Sequence, residues 1–513
     1  MKLREEKKSK ETSNLARYIF LIPLIAQFGA STVLMMALIR LNILQTWQLT
    51  LAGALLVALF FLNAYLLIIR RKGIISKVLA LILCALIVAG CAIASNYVRS
   101  TTSFISNITG SYNQTQVYEV RALKDSGYTK LEELSTQKIG FISSNPNIEE
   151  TKEVLKDDLN SYESVDYEEV GSLLAALYDR EIAAVTISES YLDFLEDNES
   201  TFEDDTIVLH RMEIITEGEY DLREPVNIVE EPFIVYISGS DSRGTINDIS
   251  DSDVNILAVV NPNDGKILLV NVPRDYEVQI YGTTGLTDKL KSAGLFGTET
   301  SKKTIEELLG VKINYVVKVG FQAIREIVDA IDGIDIDSDM DIVMEAVNEY
   351  KYCYINSGRI HLDGSCALAY SRYRKYLTNG DLDRGVHQQE VLTAIIDKVT
   401  DLHYVTRLPQ ILNAAKDTFQ TSFTEKEITD FVRYQLAELK HWKTESIQIG
   451  TSEHVLKPTY TFRNQNMWLY LRDEASETKA KQKIAEYLGK SYEELFGEST
   501  ETAGPEAEVA PEN

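Results

Sequence analysis

The sequence predicts an α/β protein carried on an N-terminal region of three transmembrane helices. Three observations predict it. Long apolar runs precede residue 100, a strand–helix–strand–helix–strand pattern follows within residues 117–222, and strands and helices mix again from Phe233 onward.

The apolar runs are roughly Tyr18–Ile39, Leu49–Ile69 and Ile75–Val98. Each holds about 20 residues, so each helix is about 30 Å long, the thickness of a bilayer core. Buried soluble helices are the alternative, but runs with so little internal charge are hard to bury in a soluble fold. The first run is too long for a cleavable signal peptide, and two more follow it. Basic residues set the orientation. The N-terminus carries Lys2, Arg4, Lys7, Lys8, Lys10 and Arg17, and the second short loop carries Arg70, Arg71, Lys72 and Lys77. The first loop, Asn42–Gln48, has none beyond Arg40 at its edge. Basic loops stay cytoplasmic. The expected topology is a cytoplasmic N-terminus in the cell membrane, with everything after about residue 98 outside the cell.

Length and charge narrow the rest. A chain of 513 residues exceeds one ordinary core, so several domains are expected. The formal net charge of −26 argues against nucleic acid as a partner, since that needs a basic surface. The four cysteines show no zinc-ligand spacing and no disulfide framework. Cys353 and Cys366 both fall in the expected outer part and flank "YINSGRIHLDGS". A bridge between them would close a loop of about 14 residues and stabilise by about 3 kcal/mol. Two unrelated cysteines, one buried as a small apolar residue in "CALAY", are the alternative.

Residues 99–116, "RSTTSFISNITGSYNQTQ", read as a polar linker. The small α/β accessory domain at 117–222 has the phrasing of one lobe of a solute-binding fold, and "EGEYDLREPVNIVEEP" reads as a second linker. A larger domain at 230–445 follows, then an extension at 446–489 and an acidic tail at 490–513 without periodicity. Within the large domain, "VNILAVV" and "KILLVNV" are strands joined by the turn "NPNDG". "TIEELLG" and "GFQAIREIVDAIDG" are helices with glycine stops.

The chemistry concentrates there. Asp241 of "GSDSR" follows a strand and Asp253 precedes the next. Two carboxylates at adjacent strand ends suit Mg²⁺, which takes one or two carboxylates plus phosphate oxygens and water. Taken alone, they read more readily as aspartates capping turns, as most aspartates in loops do. "SRYRKYLTNGDLDRGVHQQE" supplies Arg372, Arg374 and Arg384. Arg372 and Arg374 share a face if that piece is extended. Arg384 and Gln388, four apart, share a helical face. Arginine suits bidentate phosphate contacts, although Arg384 beside Asp381 and Asp383 could be a local ion pair. Together, a metal-type carboxylate pair and an arginine cluster on an acidic chain point to a site for a di- or polyphosphate.

These residues resemble the LytR-CpsA-Psr (LCP) cell-wall phosphotransferases. The matching pieces are "GSDSR", "SDVNILAVVNP", "VPRD", "TIEELLGVKINYVVKVGF", "IVDAIDGIDID", "HLDGSCALAYSRYR" and "NGDLDRGVHQQEVLTAIIDKV". They stand in family order over about residues 233–400, and three spans with an extra outer domain look like the capsule-associated branch. The resemblance implies an α/β/α sandwich with a mixed central sheet and a hydrophobic tunnel for a polyprenyl lipid. It implies transfer of a glycopolymer (capsular, exopolysaccharide or teichoic-acid-like) from a polyprenyl-pyrophosphate carrier to peptidoglycan. Mg²⁺ is the implied cofactor, with Mn²⁺ as a substitute. Membrane lipid and the capsule synthesis machinery are implied partners, and a Gram-positive bacterium is the implied source. By motif, Asp241 and Asp253 would be metal-associated. Arg243, Arg274, Arg372, Arg374, Arg384 and Gln388 would hold the pyrophosphate, and Asp253, Arg274, Arg372 and Arg374 would be catalytic. The strands around Ile256–Val260 and Ile267–Val270 would line the tunnel, or are simply core. Many members carry an Arg where this chain has Asp251, so one cationic contact is lost or Arg243 substitutes for it.

The implied step is attack of a peptidoglycan hydroxyl on the phosphorus nearer the glycan, with polyprenyl phosphate leaving. Metal and arginines would stabilise the developing charge. Asp253 and His387 are the two candidates for general base. The rival reading is a membrane-anchored regulator or sensor of polysaccharide synthesis, which would explain the extra domain but not the carboxylate–arginine constellation.

Overall fold

The computed structural model describes residues 20–69, 74–109, 114–145, 147–197, 201–216, 222–240, 245–346, 351–374, 377–401, 404, 411, 414 and 418–497. They divide into two compact units, one within 1–110, 399–416 and 424–440, the other within 111–398, 417–423 and 441–513. The basic N-terminus, Arg70, Arg71 and Lys72 lie outside the described residues, as does the tail from residue 498.

In the first unit, helices α1 (Leu21–Leu41), α2 (Thr46–Ala64) and α3 (Ile74–Ile108) are long and apolar enough to cross a membrane. Their apolar side chains face outward, and a small polar group lies between them. Asn63 Nδ2 donates to Gln27 Oε1 at 2.9 Å, and Cys84 Sγ donates to the same oxygen at 3.1 Å. Such bonds hold spans together where lipid offers no competing water. The expected linker at 99–116 is helical as far as Ile108. The Thr101 and Thr102 hydroxyls donate to the carbonyls of Tyr97 and Val98, and Phe104, Ile105 and Ile108 are buried at helical spacing. Serines and threonines suggested a linker, but that stripe carries the helix on. The helix Glu425–Glu438 belongs to this unit and starts with a capping box between Thr424 and Glu427.

The second unit opens with β1 (Gln114–Leu123), β2 (Lys138–Ile142), α4 (Ile148–Leu159), β3 (Glu163–Tyr167), α5 (Val170–Tyr178), β4 (Ala184–Ser188) and β5 (Thr206–Thr216). The sheet order is β3-β2-β4-β1-β5. β2 runs parallel to β3 and β4, and β1 pairs antiparallel with β4 and β5. This is the small α/β domain that the sequence predicts, extended by the long β1–β5 pair.

A second, mixed sheet follows. Its strands are β6 (Phe233–Ser240), β7 (Val254–Asn261), β8 (Lys266–Asn271), β9 (Tyr315–Gly320), β10 (Phe419–Thr421) and β11 (Lys443–Gln448). The order is β10-β9-β6-β7-β8-β11, with β9–β6 and β8–β11 parallel and the other pairs antiparallel. All of β7 is buried, which is why it reads as a near-continuous apolar run. One face of the sheet packs Tyr236, Leu257, Leu268 and Val270 against α6 (Thr298–Leu309) and α10 (Glu474–Tyr487). The other meets α7 (Phe321–Ala330) and α9 (Asp381–Val399), and α8 (Gly364–Arg372) packs beside α7. The architecture is the expected α/β/α sandwich.

Three stretches differ from expectation. β11 straddles residue 445 and α10 lies beyond it, yet they supply the sheet edge and part of the core. Segment 222–232 is docked rather than a free linker: Leu222 and Ile228 are buried, and Glu224 N donates to Asn314 O at 2.9 Å. The expected acidic tail begins with a capped helix, Tyr492–Phe496, whose Ser491 and Glu494 cap it reciprocally and whose Phe496 packs on the core. The two sheets of this unit also share apolar contacts. Val170, Leu173 and Leu177 of α5 cluster with Leu295, Phe462, Met467 and Leu469, and Glu169 accepts from Asn464 Nδ2 at 2.7 Å.

Cys353 and Cys366 form a disulfide across 5.6 Å between Cα atoms. It ties the strand Tyr352–Ile355 to α8. Intact mass before and after reduction with alkylation is expected to show no free thiol at either position without reductant, and Cys353→Ser should lower stability by about 3 kcal/mol. Two alkylated cysteines without reductant would contradict this.

Lys318 on β9 is buried, and its Nζ donates to the Asp248 carbonyl. Burial pushes its pKa down to about 8, against the pull of Asp248 and Asp251. An unfolded lysine titrates near about 10.4, so between the two values the unfolded chain binds more protons and stability rises with pH. Lys318→Met is expected to remove that rise. Thermal unfolding of the detergent-solubilised chain from about pH 7 to about pH 10 measures it, and an unchanged slope in the variant would contradict the assignment.

Candidate functional site

The β6, β7 and β8 register fixes the site. Ile256 pairs with Asn271 in the antiparallel β7–β8 ladder, so continuing that register sets Asp253 across from Arg274. Pro273 offers no backbone donor and helps end β8 there. Asp253 N donates to Gly239 O at 2.8 Å, which anchors the start of β7 to the end of β6. Asp241 and Arg243 follow β6 in sequence and lie outside the described residues.

Arg274 is the centre of a buried ionic cluster. Its Nη1 contacts Asp253 Oδ1, and its Nε lies 3.3 Å from Asp381 Oδ1 and 3.6 Å from Asp275 Oδ2. Asp381 Oδ1 also sits 2.6 Å from Arg384 Nη2. Lys289 Nζ reaches Asp275 at 3.2 Å, and Lys291 Nζ reaches Asp251 at 3.4 Å. No side chain in the group is more than 14 % exposed. Among the described residues Asp251, Asp253, Asp275 and Asp381 thus meet Arg274, Lys289, Lys291 and Arg384, four charges of each sign.

The carboxylates are not equivalent. Burial pushes Asp253 up, but the charges of Arg274, Lys291 and Arg384 outweigh it and hold the carboxyl well below its usual range. Asp275 is lowered in the same way, against its burial, by Arg274, Lys289 and Lys291. At Asp381 burial wins over Arg384 and Arg274, and the carboxyl is raised. One cluster therefore holds two strongly acidic carboxylates and one more basic one.

Close backbone approach builds the walls. A Cβ on Gly385 would stand 2.3 Å from Asn271 Nδ2 and 2.6 Å from Gln448 Oε1, so only glycine lets α9 approach the ends of β8 and β11. A Cβ on Gly294 would meet the Ser250 carbonyl at 2.4 Å, so glycine also seats the turn Leu290–Phe296 against Ser250 and Asp251. Gln389 Nε2 ties α9 to the sheet by donating to Leu269 O at 3.0 Å and Ile447 O at 2.8 Å.

Arg372 and Arg374 do not share one extended strand. α8 carries Arg372 as its last residue, and Tyr373 leaves the helix in an extended conformation. Asp363 caps the start of α8, and alternating small and apolar residues keep it helical. The Arg372 guanidinium lies 5.7 Å over the Phe321 ring. Arg374 is exposed, and it is near enough that its charge, after burial and Arg274, opposes that of Arg384. Gln388 Nε2 donates to Ser371 O at 3.3 Å, which holds the end of α8 in place. His387 is buried and stacks on Tyr370 with ring centroids 4.1 Å apart, and burial lowers its pKa, so its imidazole is neutral at pH 7.

The structure therefore brings Asp253, Arg274 and Arg384 together, with Arg374 within electrostatic reach. It adds Asp275, Lys289 and Lys291, which sequence reasoning did not single out, and it makes Asp381 the ion-pair partner of Arg384 that the sequence offered as the alternative. Asp381 stands three residues before Arg384 on one helix face, and that spacing was a usable signal. Lys289 and Lys291 have no local signal. They arrive through a short antiparallel pairing in which Lys289 opposes Glu277 and Lys291 N donates to Arg274 O at 2.8 Å. Asp251 is answered by Lys291.

Residues 209–484 match the family described as LytR_cpsA_psr, more than half of the chain. A polyisoprenyl-teichoic acid–peptidoglycan teichoic acid transferase TagU of Bacillus anthracis is 29% identical over 259 residues, which is 50% of this chain and 80% of the relative. The TagU of Bacillus cereus is 30% identical, over 50% of this chain and 79% of its own. The crystal structure of B. subtilis TagV aligns with a TM-score of 0.43 at 24% identity, covering 51% of this chain and 99% of that one. By the extent of the family match, this chain belongs to the LytR_cpsA_psr family.

Proposed function

We propose that this protein is a membrane-anchored transferase acting outside the cell, which moves a glycopolymer from a polyprenyl-pyrophosphate carrier to peptidoglycan and releases polyprenyl phosphate. The observation that carries the reading is the buried, charge-balanced cluster centred on Arg274, with Arg374 exposed beside it. A structural ion-pair network needs no exposed arginine at its edge. A site for a pyrophosphate does. The names of the relatives, teichoic acid transferases, support the reaction class.

The balance of charge bears on the cofactor. The eight described groups already cancel, so a pyrophosphate entering the site adds negative charge that Arg372 and Arg374 must share with something else. Among the described residues no three His, Cys, Asp or Glu converge as metal ligands. Asp253 offers hard oxygen, and Asp241 follows the neighbouring strand β6 in sequence. That sparse set fits Mg²⁺, which binds through one or two carboxylates, phosphate oxygens and water. Mg²⁺ held by Asp253 and Asp241 would neutralise the pyrophosphate and stabilise charge on it.

In the proposed step a peptidoglycan hydroxyl oxygen bonds to the phosphorus nearer the glycan. The bridging P–O bond breaks, its electrons stay with the departing polyprenyl phosphate, and the hydroxyl proton passes to a base. Asp253 is a poor acceptor because the neighbouring cations keep it acidic. Asp381 is a better one, since burial raises its carboxyl. Arg274 and Arg384 orient that carboxylate, and Arg374 and Arg372 hold phosphate oxygens on the open side.

Transfer from a synthetic polyprenyl-pyrophosphate-linked glycan to peptidoglycan fragments tests the proposal. Arg374→Ala and Asp253→Ala are each expected to lower the rate by about 10²–10³, as loss of a transition-state charge partner does. Arg374 is exposed, so its variant should keep the wild-type melting temperature. Near-normal transfer by both variants would remove the assignment.

The proposed orientation has its own test. A cysteine placed by Ser200→Cys is expected to react with a membrane-impermeant thiol reagent in intact, wall-permeabilised cells. Labelling only after lysis would reverse the topology.

A further inference from the structure

We propose that the ends of α1 and α3 form, with the start of the helix Glu425–Glu438, a headgroup site for an anionic phospholipid of the outer leaflet. The elements all belong to the membrane-spanning unit. They enclose a cavity of about 420 Å³. Its apolar lining, Val33, Met36 and Val98, comes from the bilayer-ward parts of α1 and α3. Its polar lining, Arg40, Arg99, Thr102, Ser106 and Glu425, comes from their ends and from the helix above. An adjoining cavity of about 210 Å³ shares Arg40, Thr102 and Glu425 and adds Lys426, whose Nζ is 2.6 Å from Asp430.

The two arginines run against the charge bias of a membrane protein. Basic residues gather on the cytoplasmic side, yet Arg40 and Arg99 stand at the outer ends of the first and third spans in the orientation proposed above. At 35 residues α3 outlasts a bilayer core, which takes about 20, so Arg99 falls near the level where lipid phosphates lie. Simple snorkelling would explain one long side chain at a boundary. It does not explain two that line a single cavity. Among the described residues neither Arg40, Arg99 nor Glu425 has an ion-pair partner, although all three line the same space.

The charges choose the occupant. Two guanidiniums and one carboxylate leave the cavity net positive, and Lys426 at its edge shares the single Asp430 carboxylate with Arg433 at 3.4 Å, which adds to that sign. A phosphodiester headgroup is anionic and offsets that charge. The hydroxyl of Ser106 supplies a hydrogen bond for a further oxygen, and the apolar lining continues toward the acyl chains. A phospholipid in this position would pin the outer ends of two spans at the membrane surface.

The test is a lipid titration of the full-length chain in mild detergent, read by native mass spectrometry. Phosphatidylglycerol should be retained about tenfold better than phosphatidylcholine, as expected for basic residues at a lipid surface. Arg40→Gln with Arg99→Gln should reduce it to the phosphatidylcholine level. Glu425→Gln, which keeps both arginines, should tighten retention, and this variant carries the test alone if the double variant does not insert. Equal retention of the two phospholipids, or no response to either variant, would overturn the proposal. So would tighter retention of polyprenyl phosphate than of phosphatidylglycerol, or displacement of the lipid by inorganic phosphate at equal concentration. The orientation on which the inference rests is tested separately by labelling at position 200, and neither result depends on transfer activity.

Discussion

A guanidinium buried among carboxylates cannot lose a partner without leaving charge unpaired in a low-dielectric interior, at a cost of about 3–5 kcal/mol. Arg274 stands in that position. Among the described residues its three carboxylate partners come from the start of β7, from its own chain neighbour and from the start of α9. The ion pairs thus require β7, β8 and α9 to meet at one end of the sheet. Gly385 permits that approach, Gln389 fastens it, and the Lys291 N to Arg274 O bond adds the segment that carries Lys289 and Lys291. Such a network does not by itself argue for greater stability than an apolar core would give. Its meaning is local: it fixes Asp253 and Arg384 at the mouth of the sheet.

Much of this architecture was legible in the sequence. Apolar runs of span length, the alternation in 117–222 and the strand pair around "NPNDG" each carry a period or a turn with a physical cause. The motif residues Asp253, Arg274 and Arg384 were legible because each stands beside a recognisable element end. What the sequence hid was tertiary. The charge of Asp251 is cancelled by Lys291, a residue forty positions downstream with no local pattern of its own. β11 and α10 are ordinary segments whose role as sheet edge and cover shows only in the pairing with β8 and the shared core. The helical continuation through Thr101 and Thr102 was masked by residue types that usually mark linkers.

The accessory domain is bound into the same unit, not merely strung beside it. β1 meets the loop before β7 through Thr115, whose backbone exchanges hydrogen bonds with Asn247 O at 3.0 Å and Ile249 N at 2.8 Å. That loop carries Asp248 and Asp251, and Lys318 braces it from β9. The domain that follows the membrane spans in sequence therefore contacts the segment leading into Asp253.

The central claim is that the described cluster is electrically balanced and takes a pyrophosphate only together with a divalent cation. Calorimetric titration of the full-length chain with a short-chain polyprenyl pyrophosphate, in Mg²⁺ and in excess chelator, tests it most directly. The account predicts affinity at least about tenfold higher with Mg²⁺, a difference of about 1.4 kcal/mol, and little cation dependence for the corresponding monophosphate. Equal affinity for the pyrophosphate in both conditions would contradict it.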